Sequence, residues 1–297
     1  TLTLGVAGGQ AITDAAGNPL APNSSPSYWD FLGPGNLSPQ FSYGASLAMN
    51  SWGNIYVAFS DGANGGKVTV KTFDPLVSDW VVVGDPGFSA GSAAFISIIT
   101  DPTGNPYIAF RDVGNDNKTT VMRLIANQWT VVGTAGFTPG LILENSLAFD
   151  QFNTPYFAFR DSADKVTVMK FNGTGWENVG NAAFATQSAT NGSLFVDGYG
   201  TPYYAFSDGD NGGKATVMKF NGTSWENVGN AGFSAGSAQY LSLVFDGLSY
   251  YVGYQDSGNG GKATVMTFNG ASWEAVGASG FTAGAATYVS LAMDNQG

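Results

Sequence analysis

The sequence predicts an all-β protein, a β-propeller of six blades with four antiparallel strands in each. Three observations lead there. Trp29, Trp80, Trp129, Trp176, Trp225 and Trp273 are separated by 51, 49, 47, 49 and 48 residues, so six of the seven tryptophans mark one register. The line ATVMKFNGTSWENVGNAGFSAG, beginning at Ala215, returns almost unchanged as ATVMTFNGASWEAVGASGFTAG from Ala263. No segment carries the 3.6-residue apolar period of a helix, while short runs of β-branched and aromatic residues alternate with Asn-Gly and Asp-Gly turns.

Each repeat holds four strand-like segments. The first is a short apolar run closed by an acid or amide, as in SLAFD ending at Asp150 or LSLVFD ending at Asp246. The second is aromatic, as in YIAFRD, YFAFRD and YYAFSD, starting at Tyr107, Tyr156 and Tyr203. A Gly- and Asn-rich loop leads to the third, as in ATVMKF from Ala215, and an Asn-Gly turn opens the fourth at Trp225. Such a sheet is apolar on both faces and cannot stand alone; stacking sheets around an axis buries both. Phe59, Phe110, Phe159, Phe206 and Tyr254 are expected to pack between blades. Beside them Ala58, Ala109, Ala158, Ala205 and Gly253 let the sheets approach. The repeated line is therefore chiefly a packing rule, since one buried aromatic contributes about 2–3 kcal/mol.

The chain reads as a single domain over residues 1–297. Five repeats fall at about 34–92, 93–142, 143–190, 191–238 and 239–286, and a sixth blade is assembled from 1–33 plus 287–297, so that the terminal strands close the ring. A competing arrangement comes from ITDAAGNP at Ile12, which resembles ITDPTGNP at Ile99: residues 1–33 then hold a degenerate blade of their own, and the count becomes seven.

Composition removes much chemistry. The 297 residues contain no Cys and no His, which excludes disulfides, thiolate or imidazole catalysis and zinc sites with nitrogen or sulfur ligands. Eleven basic against 22 acidic residues give a net charge of −11, which argues against nucleic acid and anionic membranes as partners. No apolar run is long enough to insert in a membrane. A turn-rich surface of Gly, Asn, Ser and Thr suits an extracellular or cell-surface protein, and because Thr1–Gln10 lacks the pattern of a signal peptide, such a signal would already have been removed. Asn23, Asn36, Asn117, Asn172, Asn191 and Asn221 each begin an N-glycosylation sequon.

From Trp29 onward the lines SLAFD, PYxAFRD, ATVMKFNGTSW and VGxAGFSAG resemble those of extracellular propeller-repeat proteins of microbes and algae. The resemblance implies a propeller fold and a role that is adhesive, structural or carbohydrate-binding. The chain has no Gly-His to Trp-Asp pairing of WD40 type and no kelch doublet. The turn at Asn221-Gly-Thr-Ser-Trp225 only loosely resembles the Asp-box of sialidases, and the sequence gives no ground for assembling their arginine cluster from Arg111, Arg123 and Arg160.

Two rings of acids follow from the repeat. Asp61, Asp112, Asp161, Asp208 and Asp256 end the second segments and share one face, and with Asp210 they are candidate Ca²⁺ ligands. The plainer reading is that they start turns by bonding their own backbone. Asp101, Asp150, Asp197, Asp246 and Asp294, with Asn50, end the first segments on the opposite face and read as turn formers. Trp80, Trp129, Trp176, Trp225 and Trp273 are candidate platforms for stacking a sugar, or else packing residues, and Phe88, Phe233 and Phe281 in their Gly-flanked loops share that ambiguity. Paired carboxylates run glycoside hydrolysis, but every attractive Asp belongs to the repeat, and Glu144 is the main irregular acid. The expected function is a non-catalytic extracellular interaction module, adhesive or structural, with protein partners or glycans and no cofactor beyond a candidate Ca²⁺. A multivalent lectin is the first alternative and a glycosidase-like hydrolase the second.

Overall fold

The computed structural model describes Leu32 and residues 37–293 apart from residue 186. Among these residues twenty strands form five separate four-stranded antiparallel sheets, each in chain order. The first holds β1 (Ser42–Met49), β2 (Ile55–Asp61), β3 (Lys67–Asp74) and β4 (Asp79–Val82). The second holds β5 (Ala93–Thr100), β6 (Pro106–Asp112), β7 (Lys118–Ile125) and β8 (Gln128–Val131). The third holds β9 (Ile142–Phe149), β10 (Pro155–Asp161), β11 (Val166–Phe171) and β12 (Trp176–Asn178). The fourth holds β13 (Ala189–Val196), β14 (Pro202–Asp208), β15 (Lys214–Phe220) and β16 (Trp225–Asn227). The fifth holds β17 (Ala238–Phe245), β18 (Tyr250–Asp256), β19 (Lys262–Phe268) and β20 (Trp273–Ala275). Among the described residues there is no α-helix, hence none long and apolar enough to cross a membrane.

The first strands are innermost: β1 packs on β5, β5 on β9, β9 on β13 and β13 on β17. Four apolar clusters each straddle two neighbouring sheets. One joins Ala158, Val166 and Val168 of the third sheet to Leu194, Tyr204 and Phe206 of the fourth. Phe59, Phe110, Phe159, Phe206 and Tyr254 are all buried, as are Ala58, Ala109, Ala158 and Ala205. At Gly253 a Cβ would press on the Leu291 side chain, so glycine stands there because Leu291 takes the space.

The blade count differs from the expectation of six. Five four-stranded sheets are present, and among the described residues no sheet closes the ring. Of the expected sixth blade, residues 1–31, 33 and 294–297 lie outside the described residues, as do the ITDAAGNP segment and Trp29, whereas 287–293 are described and form no strand. Two contacts nevertheless keep the sixth register. Trp80 Nε1 donates to the Leu32 carbonyl, as Trp129, Trp176, Trp225 and Trp273 donate to Val83, Val132, Val179 and Val228. The Leu291 amide donates to Ser242 Oγ at 2.9 Å, as Ile98, Leu194 and Leu243 donate to Ser46, Ser146 and Ser193. Leu291 thus occupies an inner-strand position, but a ladder also needs a second strand beside it, and no described residue supplies one.

Candidate functional site

The acids at the ends of the second strands are tied into their own turns. Asp112 Oδ1 accepts from the Gly91 and Gly114 amides at 3.1 and 3.0 Å, and Oδ2 from Asn115 Nδ2 and Thr120 Oγ1 at 2.7 and 3.2 Å. Asp256 repeats all four bonds with Gly236, Gly258, Asn259 and Thr264. Asp61 accepts from Ser38, Ala63, Asn64 and Thr69, and Asp208 from Asp210 N, Asn211 and Thr216. Asp161 serves a shorter hairpin and accepts at Oδ1 from the Ala163 and Lys165 amides. Asp210 is exposed in the turn that Asp208 caps. Carboxylate oxygens filled by donors in this way are turn formers. Among the described residues no three acidic side chains come together as a metal ligand set. Burial raises the Asp61 pKa, but the bonds from Asn64, Ser38, Thr69 and Ala63 outweigh it and hold the group below its ordinary value.

The opposite acids do the same work. Asp150 Oδ1 accepts from the Phe152 and Thr154 amides, Asp197 from Tyr199 and Thr201, and Asp246 from Leu248 and Ser249.

The register tryptophans are joints between blades. Trp129, Trp176, Trp225 and Trp273 stack face to face on Phe88, Phe137, Phe184 and Phe233, with centroids 4.3–4.8 Å apart and planes within 11–14°. Each indole N–H is spent on the preceding blade's backbone, and Trp80, which bonds Leu32, packs edge-on against Phe73. With one face covered and the N–H used, these rings are held in packing. Of the sequons, Asn172 and Asn221 are exposed and Asn117 and Asn191 half-buried; Asn23 and Asn36 lie outside the described residues.

The clefts lie elsewhere between the blades. Between the second and third sheets a cleft of about 560 Å³ is lined by Tyr107, Arg123, Asp150, Thr154, Tyr156, Lys170 and Asn172. Between the third and fourth sheets a cleft of about 520 Å³ is lined by Tyr156, Lys170, Thr201, Tyr203, Lys219 and Asn221. The two are congruent: Tyr107 corresponds to Tyr156, Arg123 to Lys170, Thr154 to Thr201, Tyr156 to Tyr203, Lys170 to Lys219 and Asn172 to Asn221. The tyrosines form a floor that is only 6–7% exposed, so the reachable groups are the basic side chains, threonines and asparagines. Lys170 and Lys219 are steadied by Glu177 and Glu226 at 3.5 Å, and those glutamates also receive Asn172 and Asn221 Nδ2 at 2.8 and 2.7 Å. Arg123 faces Thr130 across the ladder instead. Sequence reasoning singled out tryptophan and aspartate and passed over these residues. Their signal was the tyrosine near the start of each second strand and the cation directly after Val-Met in the third, at Arg123, Lys170 and Lys219.

On the axis, a cavity of about 420 Å³ sits where the inner strands begin, lined by Phe95, Glu144, Asn145, Asn191, Tyr240 and Tyr288 among others. Glu144 is the one carboxylate in its lining. Another, of about 480 Å³, sits where they end and is lined by Met49, Leu147, Leu194 and Met293 with Asn50 and Asp101.

No family model matches the chain, and no curated protein matches it in sequence. Solved structures do match in shape. An arginine mutant of AofleA from Arthrobotrys oligospora superposes with a TM-score of 0.55 at 8% identity, over 78% of this chain and 70% of that one. A mutant of the Aleuria aurantia lectin in complex with Fucα1-6GlcNAc gives 0.54 at 15% identity, over 78% and 76%. An exo-β-1,3-galactanase from Clostridium thermocellum gives 0.47 at 12% identity, over 91% and 64%. Likeness at these identities concerns the fold alone, and the fold shown by the two superpositions above 0.5 is an all-β, propeller-like array of four-stranded sheets.

Proposed function

We propose that the chain is a non-catalytic interaction module that binds carbohydrate in the clefts between successive blades. The observation that carries this reading is the residue-for-residue congruence of the two clefts, because repeated sites suit a repeated ligand and combine weak single contacts by multivalency. Ammonium, guanidinium, amide and hydroxyl groups around a tyrosine floor are the donors and acceptors that sugar hydroxyls need. The fucoside-bound Aleuria aurantia lectin, of similar fold, supports the same ligand class. An extracellular location belongs to the same proposal and is supported by that class of ligand and by the exposed sequons at Asn172 and Asn221.

A glycan-array screen of the purified chain tests the reading, with Lys170→Ala as the comparison because Lys170 lines both clefts. Saturable retention on one sugar class, falling about tenfold in K170A, is expected, the loss matching a charge-assisted hydrogen bond. No retention, or retention indifferent to K170A, overturns it. A chelator should leave retention unchanged, since the second-strand aspartates spend their oxygens on turn amides and no three acidic side chains come together among the described residues.

The adhesive reading has its own support. The turns between first and second strands hold Trp52, Phe152, Tyr199 and Leu248 at equivalent positions, 71–93% exposed. An array of apolar tips on one face is a contact surface.

A further inference from the structure

The axial cavity at the start of the inner strands differs from the clefts in every respect that repeats. β1, β5, β13 and β17 each break register after their second residue, between Tyr43 and Ser46, Ala94 and Ser97, Thr190 and Ser193, and Gln239 and Ser242. A residue in the left-handed region sits in each break: Gly44, Phe95, Asn191 and Tyr240, with φ of 56, 49, 56 and 54°. Tyr288, three residues before Leu291 as Tyr240 is before Leu243, continues the series at 55°. Glycine adopts this conformation freely, whereas an aromatic residue is strained in it. Burial does not offset the cost, because Phe95 is 41% and Tyr288 80% exposed. Backbone strain kept at aromatic residues outside the core is a pointer to function.

The third sheet departs from the pattern. Its irregularity falls opposite Arg160 and Asp161 and brings Glu144 to the cavity. Glu144 Oε1 pairs with Arg160 at 3.1 Å, and Oε2 is buried without a hydrogen-bond partner. Asn145 and Asn191 stand beside it in the lining, and the rings of Tyr240 and Tyr288 lie 4.7 Å apart.

We propose that this cavity binds one neutral sugar ring, its apolar face on Tyr240 and Tyr288 and its hydroxyls bonded by Glu144, Asn145 and Asn191. Charge balance selects the ligand class. Arg160 pairs with both Glu144 and Asp164, and the Arg111 guanidinium lies over the Phe95 ring, so two cations balance two carboxylates and an organic cation meets no net field in spite of the aromatic rings. An anion meets Glu144 and no cation in the lining. A polyol with one apolar face uses the rings, the amides and the unfilled carboxylate oxygen together, and about 420 Å³ lies within the usual size of small-molecule pockets. The site is singular where the clefts are plural, and it does not depend on them.

The test labels the full chain with 3-fluorotyrosine and assigns the Tyr156, Tyr203, Tyr240 and Tyr288 signals with Phe variants. Methyl α-glucoside, β-galactoside, α-mannoside and α-fucoside are titrated in turn, followed by tetramethylammonium. At least one glycoside should shift the Tyr240 and Tyr288 signals along a saturable curve. Tyr288→Ala, a change at an exposed position, should weaken the Tyr240 curve about fivefold or more. Axial signals that no glycoside moves overturn the proposal, whether or not the cleft signals move, and so does a response to tetramethylammonium alone. Axial shifts with silent cleft signals uphold this site and count against the clefts.

Discussion

Asp112 shows how one side chain holds two blades. It caps its own hairpin through Gly114 and Asn115, reaches the third strand through Thr120, and takes the Gly91 amide from the loop that enters its sheet. Asp112→Ala strands four donors and should cost about 3 kcal/mol, read as a lower denaturant midpoint at unchanged slope; Asp112→Asn, which can keep the amide bonds at one oxygen, should cost less. Gly192 has an ordinary φ, yet a Cβ there would overlap the Tyr204 hydroxyl, so Gly192→Ala should destabilise by about 2 kcal/mol from steric conflict alone. Acid stability follows from Asp61 and Asp246. The Ser249 and Leu248 amides, offset in part by burial and helped by Tyr251, hold Asp246 below its ordinary 3.8, and Asp61 is likewise depressed. A folded pKa below the unfolded one contributes stability that is complete above the unfolded value and is lost as the pH falls through the folded one. With no histidine in the chain, the unfolding midpoint should be flat between about pH 5 and 8 and fall below about pH 4, less steeply in Asp246→Asn.

The strand is the scale at which the sequence is most readable, and the inner strand is where reading fails. PYxAFRD and ATVMKF have clean boundaries because Asp opens one turn and Asn-Gly the next. The inner strands of the second, fourth and fifth sheets start at Ala93, Ala189 and Ala238, ahead of the apolar runs that mark them, because a left-handed residue flips the alternation at Phe95, Asn191 and Tyr240 and the two-residue period is lost. Those residues line the axial cavity, so the break that hid the strand also hid the site. The tryptophans were legible as packing residues, but their partners were not: pairing of Trp225 with Phe184 joins adjacent repeats across 41 positions. A double-mutant cycle of Phe184→Ala and Trp225→Ala should give a coupling of about 1 kcal/mol, whereas Phe184→Ala paired with Trp80→Ala should add without coupling.

For the whole molecule, periodicity made the propeller legible but left its closure open, because closure depends on contacts between the two ends rather than on any local pattern. Leu32 and Leu291 each hold a place in the next register, one through Trp80 and one through Ser242, and neither bond can be read from a motif. If the clefts act together, a surface dense in glycan should retain the protein about 100-fold more tightly than one free oligosaccharide binds it, a ratio measured by comparing immobilised and soluble ligand. A serine Oγ accepts an amide N–H from the following inner segment at four places, from Ile98, Leu194, Leu243 and Leu291, with nearly one length, 2.9–3.1 Å. A coupling reused in this way makes most blades interchangeable parts: a duplicated gene segment encoding one blade arrives with its connectors already cut to fit, so the array can lengthen by copying before any new interface has to evolve.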